Sequence, residues 1–311
     1  IHLTNRKLDD LRALISATPS GTVVLGHTMA TWYYLAFLKL FCKAKIVLEM
    51  HGFLEIEARF YGSIGVIQYH IERFVYGLFY PLCDVITTCS ENAAAFLARY
   101  NRNVVPIYGG VDTDLFRSDI SPLSSIRKEP GTTLIGYAGN MRKWQGVPFL
   151  IEAFKTLRAE DASFRLVILS SEAQHLPAEE GVAVYKQVPH EQVPAFLAAC
   201  DILVIPRLDD AVSRISFPSK LPEYLAMGKP VVASATSDAD RIIVNGENGM
   251  IFKPGDIQGF ISCVRSLKDS EVRSRIGKQA RITAVTRLSW PRQVAILANT
   301  LHNIKPTHVK G

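Results

Sequence analysis

The stretch Phe217–Ser234, FPSKLPEYLAMGKPVVAS, holds the residues of this chain whose types and spacing best suit chemistry. Pro218 favours the first position of a helix, and Gly228 favours the position just after its end. The free N–H groups at such a helix start attract an anion, and Lys220 would strengthen that attraction. Glu223 leans back toward the same place and could accept hydrogen bonds from the hydroxyls of a ribose. These residues predict a nucleoside diphosphate site, although a capped surface helix with a solvated lysine and glutamate would explain them equally well.

Short apolar runs alternate with helical patterns along the chain, which predicts parallel sheets with helices on their faces. Such sheets bind ligands beyond the carboxyl ends of their strands, and a cleft between two such domains is the expected site. The predicted helices are residues 32–42, 66–80, 147–159, 190–199, 219–227 and 256–267. The predicted strands are residues 22–27, 45–52, 84–90 and 104–112, followed by 133–139, 164–170, 182–188, 201–206 and 230–234.

A polar segment separates the two α/β series. Residues 118–131 are rich in serine and proline and show no apolar period, which predicts a linker. A chain of 311 residues is also long enough for two hydrophobic cores. We therefore expect an N-terminal domain of residues 1–117, the linker, a C-terminal domain of residues 132–287 and a closing segment of residues 288–311.

The composition excludes several classes of protein. Hydrophobic residues make up 48% of the chain and charged residues 21%, the balance of a globular rather than a disordered protein. The net charge of +6 is spread along the chain, so it favours phosphates or an anionic membrane surface without indicating a nucleic acid. The five cysteines lack CxxC spacing, which indicates reduced thiols in a cytosolic protein and no zinc site.

Several motifs, in order along the chain, resemble those of glycosyltransferase family 4, the retaining enzymes of the GT-B fold. The opening stretch is similar to a PxKxxEYxAxGKPVV pattern, found in a subgroup that builds bacterial surface polysaccharides. The other matching motifs are YGGVDTDLF (108–116), LIGYAGNMRKWQGVPFLIEAF (134–154), VPHEQVPAFLAACDILVIP (188–206), VNGENGMIF (244–252) and LSWPRQVAILANTL (288–301).

The resemblance implies an α/β fold of the GT-B type, with two Rossmann-like domains whose parallel sheets face a cleft. The first ten residues, IHLTNRKLDD, correspond to a point near the third or fourth strand of that family's first domain. The resemblance therefore implies an incomplete N-terminal domain without the opening strand and its Gly-Gly loop. A fragment, a start-truncated chain and a naturally reduced protein are the alternatives.

The resemblance also implies roles for individual residues of the donor site. Glu223 would bind the ribose, and the backbone around Ser219, Lys220 and Leu221 would bind the diphosphate. Val188 belongs to the motif that lies near the base.

Three further positions match residues close to the reacting groups. Arg142 or Lys143, in the loop after the first strand of the second domain, would bind the diphosphate. Gly139 would let the backbone approach the donor closely. His51 ends a strand and matches a histidine near the transferred sugar and the acceptor, although a locally bonded histidine at a strand end is the alternative.

The chain departs from the family pattern at three positions. Gln145 stands where the family usually has a lysine before the loop glycine. Ile215 replaces the first of two glutamates eight positions apart, and Arg241 replaces another glutamate. The absence of a glutamate at position 215 implies a different recognition of the donor sugar, with Asp209, Asp210 and Arg214 as candidate substitutes.

The implied reaction is transfer of a sugar from a nucleotide sugar to a glycan or lipid-linked acceptor, with retention of anomeric configuration. Arg142, Lys143 and Lys220 would stabilise the leaving diphosphate, and no metal or other cofactor is expected. The sequence Asp238–Asp240 could hold a divalent cation, but a sugar contact is the favoured interpretation. The non-enzymatic alternative is a degenerate glycosyltransferase that acts as a binding subunit. No GxGxxG follows a predicted strand, which disfavours a dehydrogenase.

The segment Thr31–Lys45 combines aromatic residues with Lys39, Lys43 and Lys45. It could rest on an anionic membrane, where lipid-linked acceptors reside. The alternative is a helix packed on the sheet with its lysines at the edge. We expect a cytoplasmic protein, with peripheral contact to the inner face of the membrane as an open possibility and no nucleic-acid partner.

Overall fold

The structure of the chain, a computed structural model, describes residues 18–27, 29, 32–172, 176, 178–186 and 188–304. The predicted opening segment of residues 1–10 lies outside the described residues. By their internal contacts the residues form two compact units. The first comprises Ile1–Tyr108 with Val294–Gly311, and the second comprises Gly109–Gln293.

The first unit contains a sheet of four parallel strands in the order β1-β2-β3-β4. Each strand falls within a predicted one, because buried parallel strands appear in a sequence as short apolar runs. The helices Leu54–Phe60 and Glu91–Leu97 are too short to show a clear helical period and were not predicted. The strands are β1 (Val23–His27), β2 (Lys45–Met50), β3 (Val85–Thr88) and β4 (Val104–Pro106). The helices are α1 (Trp32–Phe41), α2 (Leu54–Phe60), α3 (Val66–Phe79) and α4 (Glu91–Leu97), with a 3₁₀ turn at Tyr80–Leu82.

The second unit is built on six parallel strands in the order β10-β9-β8-β5-β6-β7. The chain adds strands on one side of β5 and then returns to add β8 on the other side. The gap between the ends of β5 and β8 is therefore the switch point at which open α/β sheets bind ligands. The strands are β5 (Thr133–Ala138), β6 (Phe164–Leu169), β7 (Val182–Tyr185), β8 (Ile202–Ile205), β9 (Val231–Ser234) and β10 (Met250–Phe252).

Helices cover the second sheet, and most of them were predicted. The unpredicted elements are the short helices Ala211–Ile215 and Ala239–Ile242, the strand β10 and the largely polar helix Ser270–Thr283. The helices are α5 (Val147–Glu160), α6 (Val193–Ala199), α7 (Ala211–Ile215), α8 (Lys220–Ala226), α9 (Ala239–Ile242), α10 (Ile257–Ser266), α11 (Ser270–Thr283) and α12 (Trp290–His302). Short 3₁₀ turns lie at Lys143–Gln145 and His190–Gln192, and a π-helical turn at Ala284–Leu288 precedes α12.

The core of the second unit lies between its sheet and the helices α5 and α10. On α5, Val147, Leu150, Phe154 and Leu157 follow helical spacing and are all fully buried. Each large apolar side chain buried in this way contributes about 1.5–3 kcal/mol. The sheet and its covering helices therefore form a rigid base for the loops at the strand ends.

The contacts divide the two units after Tyr108, nine residues before the predicted end of the N-terminal domain at residue 117. Val111 pairs with Ser289, and Arg281 donates a hydrogen bond of 2.9 Å to the carbonyl oxygen of Thr113. These contacts place residues 109–117 in the second unit. The predicted linker, residues 118–131, contains no helix or strand, but Ile126 is buried and Leu123 N–H donates to Ala195 O.

The contacts also divide the closing segment. Helix α12 begins at Trp290 in the second unit, and the contacts assign the chain from Val294 onward to the first unit. Among the described residues, no helix has the length and apolar character needed to cross a membrane.

Candidate functional site

A cavity of about 350 Å³ lies at the carboxyl ends of β5 and β6, beside the switch point of the second sheet. It is lined by residues that follow these two strands, by the segment before α6 and by Glu223. Two further predicted site residues, Gly139 and Val188, contribute to its wall, together with His190, which was not predicted as a site residue. A larger cavity of about 990 Å³ in the first unit lies at the amino-terminal ends of β2, β3 and β4, the edge that such sheets do not use for ligands.

Glu223 lies one turn into α8 and presents a partly buried carboxylate to this cavity. Burial raises its pKa, and the neighbouring charges of His190 and Lys220 oppose that rise. No hydrogen bond joins the carboxylate to another of the described residues. Its oxygens are therefore available to accept hydrogen bonds from ligand hydroxyls.

Lys220 is the first residue of α8, and its side chain is buried. The ammonium group donates to Tyr137 OH and to Gln145 Oε1, both at 3.0 Å, and lies 4.1 Å from the centre of the Tyr137 ring. Burial, followed by the repulsion of Arg207, holds the pKa of Lys220 well below its usual value. The sequence predicted a cation at the helix start, but it did not predict that this cation would be enclosed.

Gly139 follows β5 directly beside the Lys220 ammonium group. Its φ of 148° lies at the edge of the region that favours glycine, and a Cβ here would approach Lys220 Nζ to 2.6 Å. The absence of a side chain therefore keeps the floor of the cavity open and lets the ammonium group reach the strand end.

Tyr224 ties the helix with Lys220 and Glu223 to the end of β5. Its hydroxyl accepts from Ala138 N at 2.7 Å and donates to Ala138 O at 3.0 Å. Two hydrogen bonds from one buried phenol fix the distance between α8 and Gly139. Tyrosine is the only common side chain that can both accept and donate through a single oxygen at the end of a rigid ring.

Arg207 is a second residue that the sequence analysis missed. It follows β8 at the switch point, is 5% exposed, and donates to Ser216 Oγ at 2.8 Å and Ser237 Oγ at 3.0 Å. It thereby joins the loop after β9 to the segment before α8. An arginine directly after a buried strand is the signal that could have identified it.

The other residues predicted to bind the diphosphate differ in their exposure to solvent. Arg142 and Lys143 are exposed, and neither has an acidic partner among the described residues. The Arg142 guanidinium group lies 5.2 Å from the centre of the Trp144 ring. Ser219 is exposed and makes no side-chain capping bond, whereas Leu221 N–H already donates to Pro218 O. The N–H group of Leu221 is thus not free for a ligand.

The candidate substitutes for the missing sugar-binding glutamate already make hydrogen bonds within the chain. Arg214 makes two hydrogen bonds to the Asp209 carboxylate, at 2.7 and 3.0 Å. Asp210 caps α7 by accepting from Val212 N and Ser213 N. In the Asp-x-Asp sequence, Asp238 is fully buried and Asp240 is exposed.

His51 belongs to the first unit and follows β2. It is exposed, and its Nε2 lies 3.4 Å from Glu49 Oε1. The other oxygen of that carboxylate lies 2.9 Å from His27 Nδ1. The sequence analysis predicted His51 alone and did not include its two neighbours.

Comparison with known proteins gives three kinds of match. A profile of the family described as "Glycosyl transferases group 1" matches residues 132–270. The D-inositol 3-phosphate glycosyltransferase of Corynebacterium aurimucosum is 24% identical over 222 residues, 65% of this chain and 51% of that protein. The capsular polysaccharide biosynthesis glycosyltransferase CapM of Staphylococcus aureus is 23% identical over 249 residues, 72% of this chain and 64% of that protein. The chain thus spans half to two thirds of these relatives.

Two solved structures match nearly the whole chain. Anabaena HepE in complex with UDP has a TM-score of 0.74 at 17% identity, with 94% of this chain and 82% of that chain covered. A glycosyltransferase from Rickettsia africae has a TM-score of 0.73 at 16% identity, with 97% and 84% covered. These likenesses confirm the predicted GT-B fold of two parallel-sheet α/β domains. Residues 132–270 therefore match the family Glycosyl transferases group 1, and the chain is similar to glycosyltransferases in sequence and to GT-B glycosyltransferases in fold.

Proposed function

We propose that this chain binds a nucleoside diphosphate sugar and transfers its sugar to a glycan or lipid-linked acceptor. One observation carries the proposal: the Glu223 carboxylate faces a cavity at the switch point without a hydrogen-bond partner among the described residues. The buried Lys220 ammonium group lies on the same helix, one turn earlier. A carboxylate for the ribose and a cation for the diphosphate are the two contacts that such a donor requires.

Different residues of the second unit bind different parts of the donor. Glu223 accepts hydrogen bonds from the ribose, and Val188 lies against the base. Lys220, Arg142 and Lys143 provide positive charge for the diphosphate. Uridine is the first base to test, because the similar HepE structure contains UDP.

The proposed reaction proceeds with retention of configuration. The bond between the anomeric carbon and the diphosphate oxygen breaks, and the acceptor oxygen forms a new bond to the same face of that carbon. A phosphate oxygen of the leaving diphosphate takes the acceptor proton. The cations around the diphosphate stabilise its growing negative charge, which is the main protein contribution to such a reaction. His51 remains the candidate for contact with the sugar and the acceptor.

The proposed acceptor class rests on the names of two relatives. CapM is a capsular polysaccharide biosynthesis glycosyltransferase, and TuaC of Bacillus subtilis is a putative teichuronic acid biosynthesis glycosyltransferase. We infer that this chain acts in the synthesis of a surface polysaccharide.

Isothermal titration calorimetry with UDP, GDP and ADP tests the donor site. We expect one diphosphate to bind and the Glu223→Ala variant to bind it about 10- to 100-fold more weakly, since hydrogen bonds to a charged group contribute about 1.5–3 kcal/mol. Glu191→Ala is the matched control, because Glu191 is exposed beside His190 and does not line the cavity. Equal affinity of the wild type and Glu223→Ala would contradict the proposed site.

Release of the diphosphate from nucleotide sugars separates the enzyme from the non-catalytic alternative. Slow hydrolysis of one donor, or faster release with a glycan acceptor, supports transfer. Tight binding without any release would instead favour a degenerate binding subunit.

The structure favours a different surface for the proposed membrane contact than the sequence does. Lys39 and Lys45 both pair with Asp84, at 2.6 and 3.3 Å, and α1 buries one face, so the predicted basic helix is largely engaged within the first unit. On α3, by contrast, one face exposes large apolar side chains at helical spacing. They are Ile67, Ile71, Phe74 and Leu78, which are 58–78% exposed. With the net charge of +6, we propose this face as the contact to an anionic membrane.

A further inference from the structure

Three metal-ligating side chains converge at the carboxyl ends of β1 and β2. The Glu49 carboxylate lies between two imidazoles, with His27 Nδ1 at 2.9 Å from one oxygen and His51 Nε2 at 3.4 Å from the other. One ligand atom from each residue lies within 4.8 Å of both others. The two imidazole rings are 4.6 Å apart, centre to centre.

The sheet itself brings these residues together. His27 and Glu49 are direct partners in the register of the parallel pair β1–β2. His51 follows Glu49 by two residues and lies one residue beyond the end of β2, with its Nε2 3.4 Å from Glu49 Oε1. The register of the sheet therefore places His27 beside Glu49, and the bend after β2 adds His51.

We propose that His27, Glu49 and His51 form a binding site for a divalent transition-metal ion such as Zn²⁺. Two imidazoles and one carboxylate are a common ligand set for zinc and for iron(II), whereas Mg²⁺ and Ca²⁺ prefer oxygen ligands alone. Nothing in the sequence marks this set as a motif, because its members come from two separate strands.

The distances between the ligand atoms suit such an ion. With metal–ligand bonds of about 2.0–2.1 Å, neighbouring ligands lie about 2.9 Å apart in an octahedral site and about 3.3 Å apart in a tetrahedral one. The observed separations, 2.9 Å to one Glu49 oxygen and 3.4 Å to the other, are of this order. A carboxylate that binds through both oxygens, or that rotates to present one of them, would join both imidazoles at a single ion.

The exposure of the cluster leaves the remaining coordination positions to water or to a ligand. The side chains of His27 and His51 are 63% and 54% exposed, and that of Glu49 is 32% exposed. A site with three protein ligands and an open side resembles exchangeable and catalytic sites more than closed structural ones.

Metal binding would compete with the role proposed above for His51. A bound ion occupies the nitrogen lone pair with which His51 could otherwise contact a sugar or an acceptor. We therefore expect the ion to inhibit transfer. This consequence rests on the proposed function, whereas binding of the ion does not.

Titration of the chelator-treated full chain with Co²⁺ and Zn²⁺ tests the proposal. Visible absorption of bound Co²⁺ reports nitrogen ligation and geometry, and calorimetry with Zn²⁺ gives affinity and stoichiometry. The variants are His27→Ala and Glu49→Gln, with His70→Ala as the matched control, because His70 is an exposed histidine of the same unit on α3. Circular dichroism of each variant verifies folding, which substitution of partly exposed side chains should preserve.

The expected result is one ion per chain at this site. The affinity of the chain for the ion should fall about 10- to 100-fold in His27→Ala and Glu49→Gln and should stay unchanged in His70→Ala. Absence of calorimetric Zn²⁺ binding by the wild type would overturn the proposal, as would equal binding by all variants. Transfer activity is not needed for either outcome, so failure of the proposed function would leave this test intact.

Discussion

The Lys220 ammonium group lies 3.0 Å from Gln145 Oε1, so the first residue of α8 reaches the loop that follows β5. The family resemblance implies a lysine at position 145. In this chain the loop residue is neutral and the positive charge comes from the helix. Both side chains are buried, and two ammonium groups at this distance would repel each other strongly. Lys220 therefore supplies the positive charge that a lysine at position 145 would otherwise provide.

The first prediction concerns this pair. Gln145→Lys should lower the free energy of unfolding by about 1–3 kcal/mol, because it removes the acceptor of a buried ammonium group and adds a second cation. Adding Lys220→Gln to that variant should recover most of the loss, since it restores one cation and one amide. Urea denaturation of the two single variants and the double variant measures the interaction free energy. Additive effects of the two substitutions would contradict the pairing, and Lys143→Gln, an exposed site, is the control.

The second prediction concerns the pH dependence of stability at Glu223. Burial raises the pKa of its carboxyl group above the value of 4.5 for an exposed glutamate. Between the unfolded and folded pKa values the folded chain binds more protons, so this group lowers stability as the pH rises through that window. Glu223→Gln should therefore be more stable than the wild type at neutral pH, by about 0.5–2 kcal/mol.

The same difference should vanish below about pH 4, where the glutamate is protonated in both states. Urea denaturation of both chains across this range tests the prediction. Glu191→Gln, an exposed substitution, should show no comparable gain at neutral pH. A wild type that is more stable than Glu223→Gln at neutral pH would mean that the carboxylate has a partner in the folded chain.

The strands other than β10 could be predicted from the sequence because each is a short apolar run between polar turns. Their order could not, because the return from β7 to β8 on the far side of β5 is a matter of pairing between distant segments. Glu223 and Lys220 were identified from helix signals. That Lys220 is buried depends on Tyr137 and Gln145, which lie 75 or more residues away in sequence.

The residues that the sequence analysis missed share one property: each acts through a partner on another element. Tyr224 holds Ala138 on β5, and Arg207 holds Ser237 after β9. His27 and Glu49 meet only through the register of two strands. Pattern and spacing within one segment carry no information on such pairs.

The third prediction concerns Gly146, which ends the loop that carries Gln145. Its φ is 71°, and a Cβ would lie 1.8 Å from the carbonyl oxygen of Pro206. Gly146→Ala should therefore lower the free energy of unfolding by about 2–5 kcal/mol, from backbone strain and a clash with a fixed carbonyl group. Gly255→Ala is the matched control, since Gly255 has a φ of 79° and open space around it, and it should lose only about 1–2 kcal/mol. Equal losses in urea denaturation would show that the Pro206 contact does not matter.

The fourth prediction concerns the exposed face of α3. Ile71→Glu combined with Phe74→Glu should reduce binding to anionic vesicles at least about tenfold, because the apolar face can no longer enter the interface. Sedimentation with vesicles of phosphatidylglycerol measures the bound fraction. The triple variant of Lys39, Lys43 and Lys45 to glutamate tests the alternative surface. Loss of binding only in the triple variant would assign the contact to the segment Thr31–Lys45.

The fifth prediction concerns the proton balance of diphosphate binding. Burial holds the pKa of Lys220 well below its usual value, whereas a bound diphosphate favours the ammonium form and would raise that pKa. Binding of UDP should therefore take up protons at pH values between the pKa of Lys220 in the empty site and its pKa in the occupied site. Calorimetry in buffers of different ionisation enthalpy measures this uptake. Lys220→Met should abolish it and weaken binding about 10- to 100-fold, while Lys143→Met, at an exposed lysine, should retain the uptake. Proton-neutral binding by the wild type would mean that Lys220 is already charged in the empty site, and the diphosphate would then gain its contact without a change of protonation.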